Sequence, residues 1–206
     1  MADIHFQPAI AMMVAECFEK IRVNPGNFAD GRKTFEVINY DDPKQFEEER
    51  AYIEEVFTPL VLKCKELGRC IRIGTNHGSL SARILSYYGD TPRCEVTPYE
   101  EWMRRLTSVP IGRLLTMNGL LSFLHSISHS HRCCIRGMVQ SAFEFADICR
   151  KHDFHNFLFS MKASNPLVMV AAYRLLAEEQ YKRGWDYPLH LGVTGAYMYI
   201  WYGAGT

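Results

Sequence analysis

Polar and cationic side chains recur directly after predicted strands, and their chemical types suit the binding of an anion. Four clusters share this placement: Arg22 with Asn24 and Asn27; Arg72 with Asn76, His77 and Ser79; Lys162 with Ser160, Ser164 and Asn165; and His190 with Thr194. An arginine fork matches two phosphate oxygens at once, and a lysine adds a point charge. The Gly78-Ser79 pair at a predicted helix start exposes backbone N–H groups. Together the clusters predict a site for a small polyanion such as a diphosphate.

Each cluster alone has an ordinary structural interpretation as a surface salt bridge or a loop cap. Their recurrence at successive strand ends favours binding, because parallel α/β folds place their ligands at those ends. His77 and His190 could act as acid or base, since imidazole titrates near neutral pH. They could equally hydrogen-bond or orient a ligand, and the sequence leaves both roles open.

Other chemistries lack their usual motifs. The HSISHSH run at 125–131, followed by Cys133 and Cys134, invites a zinc interpretation. It lacks a second Cys or His pair at ligand spacing, so we predict no metal site there. The chain also lacks G-x-G-x-x-G, P-loop and G-x-S-x-G motifs. Nucleotide binding and acyl transfer therefore lose their simplest support.

Composition narrows the class of protein. The 206 residues carry 23 basic and 23 acidic side chains and are 48% hydrophobic, which is typical of one globular domain. The balanced charge argues against a nucleic-acid partner or an anionic membrane surface. The most apolar stretch, 109–127, is interrupted by Arg113, Asn118 and His125, so we predict no membrane span. Seven irregularly spaced cysteines favour a reducing compartment, and no signal or transit peptide is visible at Met1.

Alternating strand and helix patterns predict an α/β fold. Strands are expected near 2–6, 19–23, 70–74, 155–160 and 187–193. Helical crossovers between them make the strands parallel, which is compatible with a barrel or with a doubly wound open sheet. Because about five strands cannot close an eight-stranded barrel, we expect any barrel to be incomplete.

Hydrophobic periodicity predicts the faces of the helices between these strands. One helix has an apolar stripe, expected to be buried: Ile10, Met13, Val14, Cys17 and Phe18. A second begins at Asp42-Pro43 and has the stripe Ile53, Val56, Phe57, Leu60, Val61 and Cys64 before Gly68. Further helices are predicted near 80–87 and 138–150, and one from Asn165-Pro166 to before Gly184.

Several long blocks resemble one known family. The blocks are ADIHFQPAIA, KIRVNPGNFAD, CIRIGTNHGSLSARILSYYGDTP, GMVQSAFEFADIC, FHNFLFSMKASNPLVMVAAYRLL and GWDYPLHLGVT. In this order they are similar to the 4-hydroxy-3-methylbut-2-enyl diphosphate synthases, iron-sulfur oxidoreductases of the methylerythritol phosphate route to isoprenoid (terpenoid) precursors. The long helix near 43–67 and the GWDYPLH block resemble the larger form found in plastids and some bacteria.

The resemblance implies an incomplete TIM-type (β/α)8 barrel that binds 2-C-methyl-D-erythritol 2,4-cyclodiphosphate. It also implies a separate domain with a [4Fe-4S] cluster, ferredoxin or flavodoxin as electron donor, a homodimer when full length, and a plastid location. By motif, the expected substrate-binding residues are Arg22, Asn24, Arg72, Asn76, Lys162 and His190. Catalytic residues are not assigned, and no cysteine of this chain is expected to bind iron.

Residues 1–93 and 137–194 carry the likeness and are expected to form the partial barrel. Residues 94–136 are expected to be an atypical insert that packs outside the pocket, and 195–206 an atypical tail, with Gly195 where the family has Glu. We therefore expect a fragment that lacks the iron-sulfur domain and binds substrate without turnover.

Two alternatives remain at this point. The chain could be another phosphate-binding barrel enzyme, such as one resembling the pterin-binding synthases. It could also be a non-catalytic interaction protein that uses the stripe Leu114, Met117, Leu121 and Leu124 within 94–136.

Overall fold

The strands form one parallel sheet in the computed structural model, which describes residues 1–4, 7–29, 43–87, 129–164 and 166–192. They are β1 (Ala2–Ile4), β2 (Lys20–Val23), β3 (Cys70–Asn76) and β4 (Phe157–Lys162). Their spatial order is β1-β2-β3-β4, and every neighbouring pair is parallel. Four of the five predicted strands are thus confirmed as parallel neighbours, as expected for an incomplete α/β barrel.

Helices connect and cover these strands. The described helices are α1 (Pro8–Cys17), α2 (Pro43–Glu66), α3 (Ala82–Tyr87), α4 (His129–Lys151) and α5 (Pro166–Lys182), with a 3-10 turn at His77–Ser79. Proline begins α2 and α5, where its missing N–H costs no hydrogen bond. Past α5, Gly184 adopts a φ of 66°, which favours glycine.

The two faces of the sheet differ because successive side chains of a strand point to opposite sides. One face is apolar and is buried under the helices: Ile21, Val23, Ile71, Ile73, Phe157, Phe159 and Met161. The other face carries polar side chains from the same strands: Arg22, Arg72, Asn76, Ser160 and Lys162. The described helices thus cover the apolar face, and these polar side chains lie on the opposite face.

The stripe predicted for α2 is confirmed, since Ile53, Phe57, Leu60, Val61 and Cys64 are all buried and Val56 is half-buried against the same core. Helix α4 begins at His129, nine residues before the predicted start near 138. Its Ile135 is buried in the core, so part of the segment assigned to the insert packs with the sheet's helices. Residues 94–128, and with them the Leu114 stripe, lie outside the described residues.

The buried face predicted for α1 is wrong. Met13 is 70% exposed, Ile10 is 43% exposed, and Ala11 and Ala15 are fully buried instead. The small alanine side chains let the helix backbone approach the sheet closely, and the larger apolar side chains are left on the outer side.

The prediction of a fifth strand over 187–193 is also wrong within 187–192, where only Leu189 forms a bridge, parallel to Phe159 of β4. Pro188 has no N–H to donate. The N–H of Tyr187 donates to Gln180 Oε1 at 3.0 Å, and the N–H of Gly192 donates to a tyrosine hydroxyl. Two backbone N–H groups of this segment thus donate to side chains and not to a neighbouring strand. Residue 193 lies outside the described residues.

Among the helices described, none is both long enough and apolar enough to cross a membrane.

Candidate anion-binding site

A row of charged side chains crosses the polar face of the sheet. In the register of the parallel strands, Asp3 of β1 pairs with Arg22 of β2, and Arg22 pairs with Arg72 of β3. Neighbouring parallel strands lie about 4.8 Å apart, so these three side chains start from adjacent positions on one face. Two of the predicted site residues are therefore brought together by strand pairing.

Both terminal nitrogens of the Arg22 guanidinium donate hydrogen bonds to other residues of the chain. Its Nη1 donates to both carboxylate oxygens of Asp3, at 2.8 and 3.0 Å, and its Nη2 donates to the carbonyl oxygen of Gly74 at 2.9 Å. A Cβ on Gly74 would lie 2.5 Å from Arg22 Nε, so only glycine lets the side chain cross β3. Arg22 is buried, and Asp3 compensates its charge.

Arg72 differs from Arg22, because no carboxylate of the described residues is bonded to it. Its Nη2 donates to Ser160 Oγ at 2.8 Å, and its Nε is buried without a hydrogen-bond partner there. Burial and the nearby charge of Arg22 lower the pKa of the Arg72 guanidinium. A half-buried cation with this surplus of donors is suited to an anionic ligand.

Asn24 is buried and locks two loops together. Its Nδ2 donates to Ser79 Oγ at 2.8 Å, and its Oδ1 accepts from the N–H of Gly26 at 3.2 Å. A Cβ on Gly26 would lie 1.7 Å from the carbonyl oxygen of Ser79, so the loops after β2 and β3 are in tight contact. Phe28 anchors the first loop in the core. The Asn24 side chain thus shapes the loops at the strand ends.

Asn76 and Lys162 lie opposite each other in the strand register, at the ends of β3 and β4. Both side chains are half-buried, and within the described residues neither has a side-chain hydrogen bond or an ion pair. A lysine without a carboxylate partner on the same face as Arg72 adds a second available cation to this end of the sheet.

His190 lies beside β4, on the segment predicted as the fifth strand. Its N–H donates to the carbonyl oxygen of Phe159 at 2.8 Å, and its side chain is exposed. Two residues on, a Cβ on Gly192 would lie 3.5 Å from Arg72 Nη2. The segment after His190 therefore runs close to Arg72. His77 is half-buried on the 3-10 turn, and Asn165 and Thr194 lie outside the described residues.

Sequence reasoning missed three residues that shape this face: Asp3, Gly74 and Tyr173. Asp3 could have been found from the alternation of β1, which places it on the same face as Arg22 once the two strands are aligned. Gly74 and Tyr173 leave no such signal, because their roles depend on contacts between distant parts of the chain.

The cysteines of the described region do not form a metal site. No group of three or more His, Cys, Asp or Glu side chains there is placed to hold a metal ion. Cys64 and Cys149 are buried thiols, and burial raises the pKa of both. The residues described therefore do not fit the ligand set of an iron-sulfur cluster.

Comparison with known proteins shows which family the chain resembles. The sequence profile of the GcpE TIM-barrel domain matches residues 1–201. The chain is 55% identical, over 95% of its length, to the chloroplastic 4-hydroxy-3-methylbut-2-en-1-yl diphosphate synthase (ferredoxin) of Arabidopsis thaliana, of which it covers 20%. It is 50% identical, again over 95% of its length, to the flavodoxin form of Protochlamydia amoebophila, of which it covers 23%. The chain thus spans about a fifth of the length of these relatives.

Proposed function

The chain belongs to the GcpE TIM-barrel family, and on that premise we propose that its polar sheet face binds the diphosphate of 2-C-methyl-D-erythritol 2,4-cyclodiphosphate. The observation that carries the proposal is Arg72, a half-buried guanidinium with a free Nε and no carboxylate bonded to it within the described region. A diphosphate supplies both the charge and the acceptor oxygens that this group lacks.

The surroundings of each residue determine the role in binding that we assign to it. Arg72 and Lys162 are the available cations, and we assign them to the phosphate oxygens. Arg22, already paired with Asp3, contributes a fixed positive charge on the strand next to Arg72. Asn76 offers an amide at the strand ends, and His190 is assigned to the substrate from the segment beside β4. Asn24 shapes the loops at the strand ends through its hydrogen bond to Ser79. We also assign Asn24 to substrate binding.

For full-length members of the family we propose a reaction whose product and electron donor are those in the relatives' names. The cyclic diphosphate would take up two electrons from reduced ferredoxin or flavodoxin and two protons, and the ring would open to give 4-hydroxy-3-methylbut-2-enyl diphosphate and water. We place this reaction in a homodimer and, by likeness to the plant enzymes, in the plastid. Because the described residues do not fit an iron-sulfur cluster, their assigned part is substrate binding, and we expect the 206-residue chain alone to bind without turnover.

Titration calorimetry of the full 206-residue chain with the cyclic diphosphate tests the proposal. Binding should weaken as salt is raised, because it depends on charge. Arg72→Ala should cost about 1–3 kcal/mol of binding free energy through lost charged hydrogen bonds. Arg50→Ala is the matched control, since Arg50 is exposed on α2 and pairs only weakly with Glu47, at 3.7 Å.

Unchanged binding in Arg72→Ala, or no binding by the unaltered chain, would contradict the proposal. Product formed by the 206-residue chain with reduced ferredoxin would contradict the assignment to binding alone. Tighter binding of a pterin diphosphate than of the cyclic diphosphate would point instead to another class of phosphate-binding barrel.

A further inference from the structure

The hydroxyl of Tyr173 on α5 lies between two separate stretches of backbone. It is within hydrogen-bond distance of the N–H and the C=O of Met161, at 2.9 and 3.0 Å, of the Gly192 N–H at 3.4 Å, and of the His190 carbonyl oxygen. A phenol has one proton and two lone pairs. It can therefore accept from both N–H groups and donate to one of the two carbonyls, which uses its whole capacity.

These four backbone groups are the ones that would otherwise continue a parallel ladder. The ladder between β4 and the next segment starts with two bonds, from the Phe159 N–H to the Pro188 carbonyl at 3.0 Å and from the His190 N–H to the Phe159 carbonyl at 2.8 Å. In evenly spaced parallel pairing, the following bonds would join Met161 with His190 and with Gly192. The tyrosine hydroxyl stands in their place and acts as a spacer between the two chains.

The spacer sits beside two of the proposed substrate-binding residues. His190 is itself one of its partners, and Lys162 follows Met161 directly on β4. Because backbone atoms of adjacent residues move together, the hydroxyl sets the distance between the stretches that carry Lys162 and His190. Tyr173 is 8% exposed, and the Met161 side chain beside it is fully buried, so this spacing is fixed from the core.

We propose that Tyr173 is a positioning residue for the anion site. Its hydroxyl holds Lys162 and His190 at the separation that a diphosphate requires. This inference rests on the proposed function for its ligand and on the hydrogen bonds for its geometry. We assign Tyr173 to spacing and not to ligand contact, because it packs with Met161 on the helix-covered side of the sheet, whereas Lys162 is on the polar side. Without the hydroxyl, the backbone groups of Met161, His190 and Gly192 lose the atom that joins them at this spacing.

Amide hydrogen exchange of the full chain tests the spacer independently of any ligand. In the unaltered chain the Met161 and Gly192 amides should be protected, although neither has a backbone partner. Tyr173→Phe removes only the hydroxyl, which is the acceptor of both amides, and should make their exchange about tenfold faster or more. Tyr181→Phe is the matched control, because Tyr181 is on the same helix and is 86% exposed. Fast exchange in the unaltered chain would overturn the proposal even if Tyr173→Phe did not fold.

The affinity for the cyclic diphosphate then shows whether Tyr173→Phe acts by misplacing Lys162 and His190 or only by lowering the stability of the fold. Tyr173→Phe should weaken binding about tenfold, which corresponds to about 1.4 kcal/mol. In a Lys162→Ala background the same change should cost about threefold or less, because one of the two positioned residues is gone. Equal losses in the two backgrounds would overturn a positioning role. Absence of binding by the unaltered chain would overturn the proposed function, while the exchange result would still decide the spacer.

Discussion

Asn24 donates a 2.8 Å hydrogen bond to Ser79 Oγ and so joins the loop after β2 to the loop after β3. The same two loops meet again where Gly26 passes under the Ser79 carbonyl group. The hydrogen bond satisfies two polar side chains, and the backbone contact excludes any larger residue. Two strand ends that contribute Arg22 and Arg72 to the site are thereby fixed to each other.

Gly26→Ala should be strongly destabilising because of this contact. A Cβ there would lie 1.7 Å from a backbone oxygen, which cannot rotate away. We expect a loss of about 3 kcal/mol in the free energy of unfolding, measured by urea denaturation. Gly78→Ala is the control, since nothing lies within 4 Å of its added Cβ, and it should change stability by about 0.5 kcal/mol or less. Equal effects of the two variants would contradict the close packing of the loops.

Asp3→Asn should weaken the fold but increase its response to anions. The change leaves Arg22 and Arg72 as neighbouring cations without the carboxylate that now lies 2.8 Å from Arg22. We expect a modest fall in melting temperature and a larger stabilisation by pyrophosphate than in the unaltered chain. Asp147→Asn, which breaks a 3.1 Å pair with Arg183 away from the sheet, should show no extra stabilisation by pyrophosphate. A pyrophosphate effect of the same size in both variants would show that Asp3 does not control the charge of the site.

Glu144→Gln should destabilise the chain far more than changes to exposed ion pairs. Glu144 and Arg83 are each only 2% exposed and form a bidentate pair between α4 and α3. Loss of one partner leaves a buried charge, which costs about 3–5 kcal/mol. Glu178→Gln removes an exposed contact to Lys182 and should cost about 0.5 kcal/mol or less. Chemical denaturation compares the two, and similar losses would mean that burial does not strengthen the Arg83 pair.

Alkaline pH should destabilise the chain through its buried thiols. Burial raises the pKa of Cys64 to about 12 and raises the pKa of Cys149 as well, whereas an unfolded thiol ionises near pH 8.5. Above about pH 8.5 the unfolded chain has released protons that the folded chain retains, so the free energy of unfolding falls as pH rises toward 12. Denaturation at pH 7, 9 and 10 measures this slope.

Cys64→Ala should make the alkaline decline shallower, although it lowers stability at every pH by leaving a cavity. Cys17→Ala is the control, because Cys17 is exposed and its removal should leave the slope as it was. A slope that stays the same in Cys64→Ala would show that this thiol ionises alike in the folded and unfolded chains.

Local patterns in the sequence determine much of this fold. The parallel order of the first four strands follows from alternating strands and helices, and the buried face of α2 follows from the spacing of Ile53, Phe57 and Leu60. The strand ends carrying Arg22, Arg72 and Lys162 were also visible in the sequence. These features depend on residues close together in the chain, so periodicity and turn chemistry report them.

Tertiary structure decided what those residues touch. The pairing of β1 with β2 brings the carboxylate of Asp3 to Arg22. The approach of α5 to β4 places the Tyr173 hydroxyl where the periodicity of the sequence predicts hydrogen bonds to a fifth strand. Helix α1 turned its alanines to the sheet because close packing of backbone outweighed burial of larger apolar groups. In each case the deciding contact joins atoms far apart in sequence, and its energy depends on a distance that no local pattern encodes.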